Sequence, residues 1–175
     1  MTGTYADVIF SKASNKKFDE ILKDFGLKKD FNDAYHCTLT YSKKYLPYLK
    51  TSKGVKQDKS GNAKDKISKL VKIKSFGHFD TNDGKNLHAD LECKWCEAQF
   101  DRAIRAGATT DYPSYKAHVT LMYDCKDFTL DPKSEVYKKW IGETIEIVEE
   151  RISPLNENWV EEKTKENNKK VKKDK

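Results

Sequence analysis

The sequence has no run of about 18 apolar residues, the length that a membrane-spanning helix requires, so we expect no membrane span. Its N-terminus lacks a basic region followed by an apolar run, so no signal peptide is visible and we expect a cytoplasmic protein. Hydrophobic residues make up only 37% of the chain, and charged residues make up 35%. At 175 residues, the chain is nevertheless long enough to form one domain with its own core.

Metal-ligand patterns are equally scarce. The four cysteines include a single Cys-x-x-Cys, formed by Cys93 and Cys96. A zinc site requires four ligands, which usually come from two such pairs or from a cysteine pair and a histidine pair. Neither set is present, so we predict no metal, no cofactor and reduced cysteines, as is usual in the cytosol.

The net charge of +6 is distributed unevenly. Residues 43–74 contain eleven lysines and two acidic residues, a net charge of +9. A basic segment beside a binding site would attract phosphates, but a solvated loop is the simpler interpretation. We expect an exposed, mobile, lysine-rich loop over residues 43–65, whose role stays open, and a disordered basic tail over residues 161–175.

The remaining chain predicts an α+β protein with one domain over residues 1–160. Two strand–helix–strand units are expected at about 4–42 and 86–123. The first helix should begin after Ser14 or Asn15 and end at Gly26, and the second should end at Gly107. Other expected elements are a strand at 67–79, a hairpin turn at 81–84, a helix or turn at 137–141 and a strand at 144–152.

Each unit ends in a strand that carries a His-x-Thr-Leu motif, at His36 and Thr38 in the first and at His118 and Thr120 in the second. Alternation with period two should place His36, Thr38 and Thr40 on one face of the first motif strand. His118 and Thr120 should likewise share a face of the second. His78 and His88 lack such a context, and we interpret both as structural or surface residues.

Spacing also supports a duplication. The interval in sequence from Tyr5 to His36 equals the interval from Leu87 to His118. Equal spacing in both units indicates an internal structural repeat, so the two histidines can face each other across a cleft.

Two facing histidines suit phosphodiester cleavage, because one imidazole can take a proton from the attacking oxygen while the other protonates the leaving oxygen. Histidine serves both roles because its unperturbed pKa of about 6.5 lies near neutral pH. The hydroxyl groups of Thr38 and Thr120 would bind the non-bridging phosphate oxygens. This chemistry requires no metal.

The paired motifs resemble the signature of the 2H phosphoesterase superfamily over about residues 3–160. The resemblance implies two pseudo-symmetric α+β lobes, with antiparallel sheets lining a central cleft and helices outside. Within the superfamily, the opening Gly3-Thr4-Tyr5, the run 36–42 and the segment 155–159 look like the bacteriophage anti-CBASS phosphodiesterases. CBASS is a bacterial defence in which infection triggers synthesis of cyclic oligonucleotide messengers, and this family cleaves them.

That resemblance implies that His36, Thr38, His118 and Thr120 are catalytic. It also implies that Tyr5 and Trp159 bind the nucleobases of the substrate, although each could instead be a core or rim aromatic. An acidic residue of the last strand could face the cleft, but the sequence does not choose among the glutamates at 146, 149 and 150.

The resulting hypothesis is a metal-independent phosphodiesterase that cleaves the 3′–5′ bonds of cyclic di- or trinucleotides such as cyclic GMP–AMP. Alternatives within the superfamily are an RNA-end 2′,3′-cyclic phosphodiesterase and a 2′–5′ oligoadenylate phosphodiesterase. An alternative of another class is a non-catalytic nucleotide sponge or a basic RNA-binding protein. We expect no obligate protein partner and no long nucleic acid as substrate. Base preference, ring size, oligomeric state and the assignment of base and acid to the histidines stay open.

Overall fold

Six strands form one antiparallel sheet that is nearly closed into a barrel in the computed structural model, which describes residues 2–31, 33–82, 84–112 and 114–156. The chain is therefore a mixed α/β protein with few helices, as the sequence predicts at that level. In chain order the elements are β1 (Thr4–Phe10), α1 (Lys12–Asp24), β2 (His36–Ser42), β3 (Ala63–Gly77), β4 (Asp80–Thr81), β5 (Gly84–Lys85), β6 (Leu87–Glu92), α2 (Lys94–Arg105), β7 (His118–Met122), α3 (Glu135–Trp140) and β8 (Thr144–Pro154).

The strand order β2-β1-β8-β3-β6-β7 places both motif strands at the edges of the sheet. Curvature brings these edges together, so β2 and β7 contact each other. The helices cross the same junction, because α2 packs against β2 and α1 packs against β7. We call the junction between β2 and β7 the seam.

The apolar core lies on one face of the sheet, beneath the helices. It includes Val8 of β1, Leu39 of β2 and Ile147 of β8, together with Phe18 and Leu22 of α1, all of which are almost fully buried. Burying an apolar side chain of this size contributes about 1.5–3 kcal/mol. We call this side the core face and the opposite side, which carries the two motifs, the cleft face.

Helix α1 begins one turn earlier than the sequence predicts. The cap is Ser11, whose hydroxyl oxygen accepts a hydrogen bond from the Ser14 N–H, so Ser14 already lies inside the helix. The predicted end is confirmed at Gly26, which has a φ of +75°. The Leu27 N–H donates to the Leu22 carbonyl at 2.8 Å, a bond that satisfies a carbonyl of the last turn.

The lysine-rich segment is shorter and less exposed than predicted. Strand β3 begins at Ala63, so the loop ends at residue 62. Leu46 and Thr51 are buried, and the Gln57 amide donates to the carbonyls of Leu46 and Leu49 at 2.8 Å each. The predicted exposure holds for its lysines and for most of its length, but Leu46, Thr51 and Gln57 pack on the protein.

Among the described residues, every helix is too short and too polar to cross a membrane. The predicted hairpin turn is confirmed by the pairing of β4 with β5. The predicted basic tail at 161–175 lies outside the described residues.

Candidate functional site

The first motif strand contains a β-bulge that changes which side chains face the cleft. His36 pairs with Ile9 and Thr38 pairs with Asp7, but the next pair is Thr40 with Ala6, so Leu39 is the extra residue. After the bulge, Thr40 lies on the core face and is 3% exposed. The prediction that Thr40 shares a face with His36 and Thr38 is therefore wrong.

The second motif strand has a bulge at the matching position. His118 pairs with Asp90 and Thr120 pairs with His88, and the register then shifts at Leu121. Each bulge thus follows the threonine of its motif directly. Bulges increase local twist and re-aim side chains, and they occur often beside active sites.

The registers also correct the spacing argument. Leu87 pairs with Met122 beyond the second bulge, and Ala6 occupies the matching place beyond the first. Leu87 therefore corresponds to Ala6, the residue after Tyr5 in the chain. The two equal intervals therefore start at residues that are not structural equivalents. Tyr5 lies on the cleft face, whereas Leu87 is buried in the core.

Two sets of hydrogen bonds join the edge strands across the seam. The Asp30 carboxylate, just before β2, accepts hydrogen bonds from the Tyr123 and Asp124 N–H groups, just after β7, at 2.8–3.0 Å. The Tyr115 hydroxyl, just before β7, donates to the carbonyl of Thr38 in β2 at 2.8 Å. These bonds hold the two motifs side by side.

The seam opens into a cleft that is lined by His36 of one motif and Thr120 of the other, with Tyr123 beside them. Burial is the main cause of a lowered pKa for His118, and the charge of His36 adds a smaller lowering. The structure thus brings residues of both motifs together, as the sequence predicts for a cleft, although their catalytic roles stay a prediction.

Tyr5 lies beside the first motif on the cleft face. Its hydroxyl group is 2.8 Å from Thr38 Oγ1, and its ring packs edge-on against Tyr41 with centroids 6.3 Å apart. Burial, followed by the negative charge of Asp7, raises the pKa of Tyr5 well above its ordinary value, so the hydroxyl keeps its proton. The second predicted base-binding residue, Trp159, lies outside the described residues.

Charged residues continue the cleft face across β1 and β8. Asp7, opposite Thr38, is 3% exposed and forms a bidentate ion pair with Arg151 of β8, at 2.7 and 2.9 Å. That hydrogen-bonded pair raises the pKa of Arg151. This buried ion pair continues the polar cleft face from β1 to β8.

The same registers distinguish the three candidate glutamates. Glu149 pairs with Ile9, which also pairs with His36, so Glu149 lies on the cleft face in the row of the first histidine. Glu150 faces away, because its carboxylate is buried and accepts two hydrogen bonds from Ser52. Glu146 lies near the start of α1, where its carbonyl accepts from Ser11. Of the three glutamates, Glu149 is therefore the one that shares a row and a face with the first motif.

His88, expected from the sequence to be a structural or surface residue, lies beside His118. Their ring centroids are 5.3 Å apart, and Phe79 stacks on His88 at 4.0 Å with its edge toward His118. His88 Nε2 is 3.3 Å from Asp90, whose other carboxylate oxygen accepts from Ser75 at 2.8 Å. A sequence signal was present, because His88 and Asp90 alternate on the polar face of the strand that precedes the second motif.

The hydrogen bond of His118 fixes which of its nitrogens can react. Nδ1 lies 2.9 Å from the carbonyl oxygen of Lys116, which can only accept, so Nδ1 carries a proton. In the neutral ring, the lone pair is therefore on Nε2. Burial is the main cause of a lowered pKa for His118; the Lys116 bond opposes it, and the positive charges of His88 and His36 add to it.

The arrangement brings His36 and Thr120 to one cleft and places Thr38 and His118 in the same two strands, on the cleft face. Such a set can move protons to and from a bound phosphodiester and can bind its oxygens. Within the described parts of the chain, no group of three or more histidine, cysteine or acidic side chains is arranged to hold a metal ion.

Comparison with known proteins adds an independent observation. Residues 2–162 match the family described as "Anti-CBASS protein Acb1". The chain is similar to proteins of that name from Vibrio phage KVP40, with 26% identity over 90% of this chain and 91% of the relative, and from Acinetobacter phage Ac42, with 29% identity over 90% and 93%. A third, from Escherichia phage RB16, is 29% identical over 71% of this chain and 65% of the relative.

Proposed function

The chain belongs to the Anti-CBASS protein Acb1 family, and on that premise we propose that it counters CBASS by cleaving the cyclic di- or trinucleotide messengers of that defence. The proposed enzyme is a phosphodiesterase that acts on 3′–5′ bonds. It would act in the cytoplasm of the infected host on a small nucleotide, without an obligate protein partner.

The observation that best supports this function is the meeting of the two motif strands at the seam. His36 and Thr120 line one cleft although they belong to opposite edges of the sheet. A single motif on an open sheet could bind a phosphate from one side only. Two motifs across a cleft can contact both the attacking and the leaving oxygen of one phosphodiester.

In the proposed mechanism, a phosphate of the substrate binds between the two histidines. One histidine removes the proton from the adjacent ribose 2′-hydroxyl, whose oxygen then bonds to phosphorus while the bond to the 5′-oxygen breaks. The other histidine gives its proton to that 5′-oxygen. A 2′,3′-cyclic phosphate forms first, and water then opens it to a linear product that ends in a phosphate. Thr38 and Thr120 donate hydrogen bonds to the non-bridging oxygens, where charge grows.

This proposal also assigns the fold to the 2H phosphoesterase superfamily. The half-sheets β2-β1-β8 and β3-β6-β7 would be the two pseudo-symmetric lobes, with residues 1–160 as one domain. The duplicated bulges after Thr38 and Thr120 support this assignment, because a bulge at the same place in both motif strands is a shared structural device.

Substrate binding would use two aromatic residues, Tyr5 and Trp159. Tyr5 is half-buried on the cleft face, and Trp159 follows β8, the strand next to β1. Stacking of a nucleobase on an aromatic ring is worth about 1–3 kcal/mol, so each ring would lower the substrate KM about 5- to 150-fold. Glu149, in the row of His36, would accept a hydrogen bond from a base or ribose.

A substrate panel tests the proposal. Purified protein is incubated with cyclic dinucleotides, cyclic trinucleotides, 2′–5′ oligoadenylate and RNA with a 2′,3′-cyclic end, and the products are separated by chromatography. Cleavage of the cyclic nucleotides in preference to the others is expected. Preference for either of the other substrates would identify another phosphodiesterase, and recovery of all ligands intact and stoichiometrically bound would identify a sponge. Binding of long RNA that weakens steeply with salt would identify an RNA-binding protein.

Chelation tests the metal-free mechanism separately. Activity on the preferred cyclic nucleotide should be unchanged in excess EDTA, because protons and hydroxyl groups of the chain carry every step. Loss of activity that an added divalent metal restores would contradict the mechanism while leaving the substrate assignment intact.

A further inference from the structure

Two histidines outside the motifs are held in contrasting ways. His78 Nε2 accepts a hydrogen bond from the Leu130 N–H at 3.2 Å, and its Nδ1 lies 2.8 Å from the Asn86 carbonyl oxygen. One nitrogen therefore accepts and the other donates, which is the pattern of a neutral ring. His78 is fully satisfied as a structural residue.

His88 faces two acceptors instead. Asn86 Oδ1 is 3.1 Å from His88 Nδ1, and this atom is an oxygen because it also accepts from the Phe79 N–H at 2.7 Å. The Asp90 carboxylate is 3.3 Å from His88 Nε2. Both ring nitrogens must donate to satisfy these contacts, and only the doubly protonated, positively charged imidazole has two donors.

The surroundings hold this ring in place. His88 is 3% exposed and lies beneath Phe79. On β3, Gly77 leaves room for the ring, since a Cβ there would lie 2.9 Å from His88 Nε2. The two hydrogen bonds and the stacked ring leave His88 one orientation.

The charged ring is directed at the second motif. His118, on β7, is the titratable group packed against it, and His36 of β2 faces His118 from across the seam. Asp90 of β6 is a negative charge beside both rings: it lies 3.3 Å from His88 Nε2, and it raises the pKa of His118 against the larger effect of burial. Burial raises the pKa of Asp90, but the bonds from His88 and Ser75 outweigh it and lower that pKa overall, so Asp90 stays ionised.

We propose that His88 is a positioning residue whose fixed positive charge keeps His118 unprotonated, which makes His118 the general base and His36 the general acid. The acid and base roles rest on the proposed function. The contact between the His88 and His118 rings is independent of it. The Lys116 carbonyl holds the proton of His118 on Nδ1, so the lone pair on Nε2 receives the proton of the ribose 2′-hydroxyl. His36 then supplies the proton that leaves with the 5′-oxygen.

Titration of the histidine ring protons by NMR tests the relation without substrate. The chain has four histidines, so each signal is assigned by its loss in a single variant. In His88→Gln, which removes the charge but keeps a donor, the titration midpoint of His118 should rise by about one pH unit, the effect of a unit charge at this distance in a partly screened site. The control His78→Gln, which keeps one donor and one acceptor, should leave the midpoint unchanged. An unmoved midpoint in a folded His88→Gln would overturn the proposal.

The pH dependence of kcat/KM tests the roles. In His88→Gln, the acidic limb of the kcat/KM profile should move to higher pH by the same shift as the His118 midpoint. The reason is that the base must now lose a proton that it binds more tightly. A shift of the alkaline limb instead would show that His118 is the acid, and a uniform loss at all pH values would show a structural role; either result overturns the assignment. If the wild-type protein cleaves no substrate, the proposed function fails, while the NMR result still decides the relation between the rings.

A wild-type measurement covers the case in which His88→Gln does not fold. The ¹⁵N shifts of His88 should show two protonated ring nitrogens at a pH where His118 is neutral. A neutral His88 under those conditions would overturn the proposal.

Discussion

The hydroxyl group of Tyr5 lies 2.8 Å from Thr38 Oγ1, which joins the aromatic residue nearest the first motif to the threonine of that motif. Tyr5 and Thr38 belong to paired strands, and both lie on the cleft face. The bond gives Tyr5 a role beyond stacking, since it restricts the rotation of the Thr38 hydroxyl. A hydroxyl held in one orientation loses less entropy when it binds a phosphate oxygen.

Removal of the Tyr5 hydroxyl should separate these two roles. Tyr5→Phe keeps the ring but frees Thr38, so kcat should fall about 2- to 10-fold, the value of one net hydrogen bond, with little change in KM. Tyr5→Ala also removes the ring and should raise KM. Steady-state kinetics on the preferred cyclic nucleotide measure both. Equal effects of the two substitutions on KM would show that the ring does not contact the substrate.

The two threonines of β2 provide a matched pair. Thr38 faces the cleft, whereas the bulge turns Thr40 toward the core. Thr38→Val should lower kcat by about 100-fold, because it removes a donor from the developing charge on phosphate. Thr40→Val should leave kcat within about threefold, since its side chain lies on the other face of the sheet.

Kinetics and circular dichroism of both threonine variants check this prediction. A Thr40→Val protein that folds like the wild type but loses as much activity as Thr38→Val would contradict the proposed orientation of β2.

Asp30 should stabilise the closed seam. Asp30→Ala leaves the N–H groups of Tyr123 and Asp124 without their carboxylate partner. We expect the free energy of unfolding to fall by about 1.5–3 kcal/mol, the range for hydrogen bonds to a charged group. Urea denaturation measures the change, and kcat should fall with it because the motifs separate.

The control for Asp30 is Asp111, whose exposed ion pair with Lys43 spans 3.9 Å. Asp111→Ala should change the free energy of unfolding by less than about 0.5 kcal/mol. If both variants are equally stable, the seam does not depend on Asp30.

The sequence was most informative where a pattern occurs twice. Two His-x-Thr motifs in amphipathic strands identified His36 and His118, and the structure brings their strands together at the seam. Helix ends were also predictable at Gly26 and Gly107, because both have a positive φ, which glycine adopts without a steric penalty.

Bulges and long-range partners were not predictable in the same way. Leu39 and Leu121 are ordinary apolar residues, and only the strand registers show that each is an extra residue. The alternation of His88 with Asp90 marks a polar strand face in the sequence, but the contact of His88 with His118 follows only from the pairing of β6 with β7. Glu149 likewise needed the register of β8 to be distinguished from its neighbours.

Turnover of a cyclic oligonucleotide by the single-histidine variants tests the central claim most directly. His36→Ala and His118→Ala should each bind the substrate with near wild-type affinity, measured by calorimetry, but should form no linear product and no 2′,3′-cyclic phosphate, measured by ³¹P NMR. The wild-type protein should form both in turn. A folded His36→Ala or His118→Ala protein that retains near-full activity would contradict a site built from the two motifs.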